Sequence, residues 1–157
     1  MNKVICAAIG LTLCSSVASA QNQPNTWQGS MTIPVLGAGC TEEDGVRVGQ
    51  ITFAVYRPTI GGSGPSRLQF IFNRTAANYE KASAGQMHGS GNYNGTKLGS
   101  RAGVSEFAGA FNLTSSPAAV AANTANVTLS GTLTNFHDKP GCTLTFTAPM
   151  TKRPAGE

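Results

Sequence analysis

A histidine, an aspartate and a cysteine fall within six positions in His137-Asp138-Lys139-Pro140-Gly141-Cys142, and the chain has one other histidine, His88. An imidazole and a carboxylate are two parts of a hydrolytic triad, here with Ser115 or Ser130 as the nucleophile. That chemistry needs the carboxylate to hold the imidazole while the imidazole reaches the hydroxyl. Adjacent residues on a loop seldom point at each other in that way, and no Gly-x-Ser-x-Gly elbow occurs. Asp, Pro and Gly are ordinary turn formers, so His137–Gly141 reads as the loop of a hairpin. A small hydrolase using His137 or His88 is only an alternative reading. The run Glu42-Glu43-Asp44 offers oxygens for calcium, yet a calcium loop alternates its ligands over about a dozen positions. Two histidines and two distant cysteines make a poor zinc set. The sequence therefore assigns no catalytic residue, no metal ligand and no cofactor, and points to a protein that is not an enzyme.

The cysteines are more informative. The chain opens with Lys3, an apolar run from Val4 to Leu13 and the small-residue triplet Ala18-Ser19-Ala20. This is the layout of a secretory signal peptide over residues 1–20. The run is too short for a helix across a bilayer, which takes roughly 20 apolar residues. Cleavage after Ala20 removes Cys6 and Cys14 and lowers the formal net charge from +4 by one, leaving residues 21–157 as a single β-rich domain. Cys40 and Cys142 then remain, and export to an oxidising compartment favours their pairing. A bridge closing a loop of about 100 residues is worth up to about 4–5 kcal/mol in the chain-entropy model. The remaining cations form no run or stripe, so nucleic acid is not an expected partner. No membrane insertion is expected after signal cleavage, and the expected location is periplasmic or secreted.

What would position any site is a set of strands. Trp27, Gly29, Met31 and Ile33 alternate with Gln28, Ser30 and Thr32, the pattern of a half-buried strand. From Val46 to Tyr56 the apolar phase slips at Gly49-Gln50, which reads as a β-bulge. Leu68, Phe70 and Phe72 mark the next strand. Thr75–Ala84, with its alanines, reads as a short helical turn. Gly85–Gly103 reads as a glycine-rich loop in which Asn94-Gly95 makes a type I′ hairpin turn. Phe107–Leu113, Val127–Leu133 and Cys142–Ala148 alternate clearly, the last two with threonine or serine on the polar face, as suits a pleated, half-wet surface. Residues 150–157 read as a polar tail. The fold class is all-β: an antiparallel barrel, up-and-down and calycin-like in size, or a sandwich, of about 7–8 strands. A Cys40–Cys142 bridge joins the first strand to the last, and closure explains that most simply.

Asn25-Thr26-Trp27-Gln28-Gly29 resembles, over five residues, the opening strand of the calycin barrels (lipocalins and avidins), although the order and spacing differ. That resemblance implies a barrel in which Trp27 plugs one end or lines a ligand cavity. Ser90-Gly91-Asn92-Tyr93 resembles the Ser-Gly-x-x-Tyr loop of the small periplasmic lysozyme inhibitors, one residue short and without their Lys-Gly signature. It implies an inhibitor of a host or competitor hydrolase. A surface-assembly subunit is the third alternative. The leading expectation is a non-enzymatic module for an unknown small ligand or protein partner. Its candidate binding residues are Trp27, His88, Tyr93 and Asn94, and its candidate surfaces are the loops Gly61–Ser66 and Gly85–Gly103.

Overall fold

The computed structural model describes residues 25–41, 46–60, 66–72, 75–81, 89–98, 104–136 and 139–154. Eight strands follow in order: β1 (Trp27–Leu36), β2 (Ile51–Arg57), β3 (Ser66–Ile71), β4 (Thr75–Lys81), β5 (Gly89–Leu98), β6 (Val104–Ser116), β7 (Asn126–Thr134) and β8 (Thr143–Lys152). Each pairs antiparallel with its neighbours in sequence, and β8 returns to β1, closing an up-and-down barrel. Closure removes the sheet edges that an open sheet would expose. It also seats Cys40 beside Cys142 with their Cα atoms 4.4 Å apart in a disulfide. The loops that carry the two cysteines touch closely. A Cβ on Gly39 would lie 2.5 Å from the carbonyl carbon of Gly141. Gly141 itself adopts φ 82°, a left-handed turn that a side chain would disfavour.

The two-residue period sorts side chains between the interior and the outer wall. Val127, Leu129 and Leu133 on β7 and Leu144, Phe146, Ala148 and Met150 on β8 are buried. Ser130, Thr132, Thr145 and Thr147 take the outer face, and Ser130 pairs with Thr147 and Thr132 with Thr145. The interior is filled by rings that meet across it. Phe70 on β3 and Phe146 on β8, which do not pair, stand edge to face with centroids 4.9 Å apart. Phe72 and Phe136 do the same at 5.1 Å toward the disulfide end, and Trp27 and Tyr56 lie 6.2 Å apart at the other. Such contacts add about 0.5–1.5 kcal/mol each beyond area burial. An eight-stranded barrel is just wide enough for side chains to fill it. This one is packed along that aromatic column.

Glycine makes room for the rings. Gly91 of β5 pairs with Phe111 of β6, and Gly109 of β6 with Tyr93 of β5. A Cβ on Gly91 would sit 2.5 Å from the Phe111 ring, and one on Gly109 would sit 2.4 Å from the Tyr93 ring.

Four local expectations need correction. Thr75–Lys81 is strand β4, not a helical turn, because pairing with both β3 and β5 overrides the weak helical preference of its alanines. Asn94-Gly95 is no hairpin turn. It lies inside β5, opposite Asn78 and Ala77 on one side and Ala108 and Phe107 on the other. Gly49 forms a turn with φ 78° ahead of β2, and the register shift lies instead on β1 against β8, between Thr32 and Val35. The polar tail begins later than expected, since β8 runs to Lys152 with Met150 buried.

Candidate functional site

At the end of the barrel away from the disulfide, one register row crosses three strands: Lys152 on β8, Trp27 on β1 and Tyr56 on β2. Alternation turns Trp27 inward, and it is fully buried. Its indole Nε1–H donates to the Thr124 carbonyl at 3.0 Å. Thr124 belongs to the connection between β6 and β7, whose turn is closed by Thr124 N to Ala121 O and by Ala121 N to Thr124 Oγ1. Lys152 lies with Nζ 5.6 Å from the Trp27 ring centroid and donates to the Ala122 carbonyl. The backbone amides of Lys152 and Arg153 donate to Ala125 O and Thr26 O. Together these contacts strap the β6–β7 connection across the barrel mouth.

Between that strap and the end of β8 runs an open groove of about 640 Å³ lined by Asn25, Ala122, Asn123, Ala125, Thr151, Lys152, Arg153 and Pro154. Two cations and two side-chain amides face it, and no carboxylate lines it. The cationic character continues along the rim. Arg57 ends β2 and pairs directly with Arg67 of β3, and Arg153 follows Lys152 two strands away. All three arginines are exposed. At a strand spacing of about 4.8 Å, Arg57 lies roughly 5 Å from Arg67 and roughly 10 Å from Arg153. Like charges directly opposite one another are unfavourable by themselves. Glu80 is the register neighbour of Arg67 on its other side. An anion laid along the rank would be met by the exposed guanidinium groups of Arg57 and Arg153.

The expected site residues are not brought together. Trp27 on β1 and Tyr93 on β5 are both inside the barrel, on strands that do not pair, and Asn94 points outward and is exposed. His88, His137, Asp138, Glu42, Glu43 and Asp44 lie outside the described residues, as do 61–65, 85–88 and 99–103 of the two candidate loops, while Gly89–Leu98 is strand β5 and not loop. Ser66 is no loop residue; it opens β3, buried, and its Oγ accepts from Thr59 N at 3.0 Å. The two serines considered as nucleophiles are engaged elsewhere: Ser115 Oγ donates to Pro117 O, and Ser130 Oγ to Thr147 Oγ1. Among the described residues no three of His, Cys, Asp and Glu gather into a metal-binding group.

Tyr93 instead has a structural role. Its hydroxyl donates to the Thr134 carbonyl at 3.0 Å, tying β5 to the end of β7 across β6. Desolvation by burial raises its pKa well above the ordinary 10.0. In the unfolded chain the phenol loses its proton near pH 10, whereas in the fold it keeps it. Above about pH 10 the native state therefore binds more protons than the unfolded chain, so stability falls as pH rises. The loss is at most about 1.4 kcal/mol per pH unit. Alkaline titration followed at 295 nm is expected to show a late tyrosine phase that appears only on unfolding, and Tyr93→Phe should reduce its amplitude by one tyrosine.

The basic rim escaped the sequence reading because its members are scattered, at positions 57, 67, 152 and 153. Pairing of the strands on either side of the 58–65 connection would have joined the first two. Comparison of the chain with protein-family models, with curated proteins and with solved structures found no match.

Proposed function

We propose that this chain is an exported, non-enzymatic binding module that takes an anionic ligand or partner at the basic end of its barrel. The observation that carries this is the groove lined by Lys152, Arg153, Asn25 and Asn123 without a carboxylate, continuous with the rank of Arg57 and Arg67. The aromatic contact of Phe70 with Phe146 through the interior argues against a ligand held inside, as in barrels that enclose one. Binding at the rim of a rigid scaffold is the common arrangement when the scaffold itself is filled. A disulfide fits an oxidising compartment, and no helix among the described residues is long and apolar enough to cross a membrane. With the signal-like opening, these features favour a periplasmic or secreted location.

Phosphate, sulfate or carboxylate groups are the matching chemistry, because guanidinium donors bind them bidentately. The test uses retention on immobilised heparin as a polyanion probe. Arg57→Gln combined with Arg153→Gln should elute at clearly lower salt, since each lost contact reduces the number of counterions released. Arg47→Gln with Lys139→Gln removes the same charge at the opposite end of the barrel and should elute as the wild type does, apart from the general charge effect. Equal shifts for the two pairs would mean a uniform charge effect and would reject the groove as the site.

A further inference from the structure

Among the described residues the outer wall is mostly polar, but not on β2 and β3. Ile51 and Phe53 occupy successive outward positions on β2, 69% and 46% exposed, and Ile71 stands directly opposite Phe53 on β3, 47% exposed. The patch continues at the disulfide end. Gly49 N donates to Ile33 O and Ile33 N to Gln50 O, so the turn bearing Val48 lies against the end of β1, which bears Val35. Val48 and Val35 are both more than half exposed. Among the described residues no charged side chain interrupts these five. Ser30, paired with Phe53, and Gln69, the next outward residue of β3, border them with Arg47 at the loop. An apolar centre with a polar rim is the anatomy of a protein interface.

We propose that this face is the contact between two copies of the chain, joined about a two-fold axis. The area decides the occupant. The five side chains expose on the order of 500 Å² per copy, so two copies would bury about 1,000 Å² from them alone, the lower limit of a specific interface. The bordering polar residues add to it. The basic rim of Arg57, Arg67 and Arg153 lies at the other end of the barrel, which leaves Arg47 at the border of the patch. A two-fold contact uses the same patch on both partners and closes at the dimer. It therefore gives a discrete pair, not the open polymer of an assembly subunit.

Sedimentation equilibrium tests this on the full mature chain. The wild type is expected to pass from monomer to dimer with rising concentration and to stop there. Phe53→Thr with Ile71→Thr places polar, β-branched residues suited to an outer wall at both positions. It should raise the dissociation constant at least tenfold with little change in melting temperature. If the wild type stays monomeric to about 0.5 mM, too weak for a specific contact of this size, the proposal falls. It also falls if the double variant associates unchanged. A third outcome would overturn it in favour of another occupant: monomeric protein that co-sediments with phosphatidylglycerol vesicles and loses that property in the double variant. These residues take no part in the heparin test, so either proposal can fail without the other.

Discussion

Gly131→Val is expected to be among the most damaging single substitutions in this barrel. Gly131 takes an inward position on β7 between Leu129 and Leu133, opposite Leu113 of β6. A Cβ there would stand 2.1 Å from the Asn112 carbonyl oxygen and 2.9 Å from Leu113 Cδ2. The first of these is backbone held in the β6–β7 ladder, so relief requires the two strands to part. Overpacking of a filled core costs about 1–3 kcal/mol when side chains alone can yield. Here the cost should reach about 3 kcal/mol or more, within the range reserved for severe core defects. Urea unfolding would show it as a large drop in midpoint. Thr132→Val, on the outer face one residue away, should change stability by no more than about 0.5 kcal/mol. Equal effects at the two positions would contradict the inward placement of Gly131.

Loss of the disulfide is expected to have an effect of similar size by a different route. Cys40 and Cys142 are 102 residues apart in sequence, so the bridge constrains most of the unfolded chain. The chain-entropy model sets its contribution at up to about 4–5 kcal/mol. A domain of this size is stable by about 5–15 kcal/mol in total. Cys40→Ser with Cys142→Ser should therefore lower the melting temperature by about 15 °C, and reduction of the wild type with dithiothreitol should match it. A reduced protein that melted within about 2 °C of the oxidised one, much less than loop-entropy loss predicts, would mean that closure of the β1–β8 ladder holds the ends without help.

Legibility differed along the chain for definable reasons. On β1, β7 and β8 most alternate residues are large and apolar, and threonine, serine or glutamine marks most of the wet face, so face and pairing are plain. β4 and β5 are hard to read because they hold few large apolar residues. In Gly89–Leu98 the glycines are not signs of a turn: Gly91 is the space into which Phe111 packs, and Gly109 of β6 does the same for Tyr93. That role depends on a partner about 20 residues away and leaves no local trace. Thr75–Lys81 carries too little apolar contrast to show a period of two, and only its neighbours on both sides make it a strand. The candidate site followed the same logic. Trp27 stood out by type but is a plug, and Tyr93 stood out in a presumed loop but is a core tie.

By itself the sequence determined the class: an alternating, disulfide-tied β fold. These features depend on neighbours along the chain or on residue type, so they survive without coordinates. Tertiary structure decided what the interior holds, which glycines are spacers, where Arg57, Arg67 and Arg153 form one rank, and where Phe53 meets Ile71 on the outer wall. Each of these is a relation between strands. Register and closure fix such relations through pairing between distant segments, and no local pattern of residues encodes it.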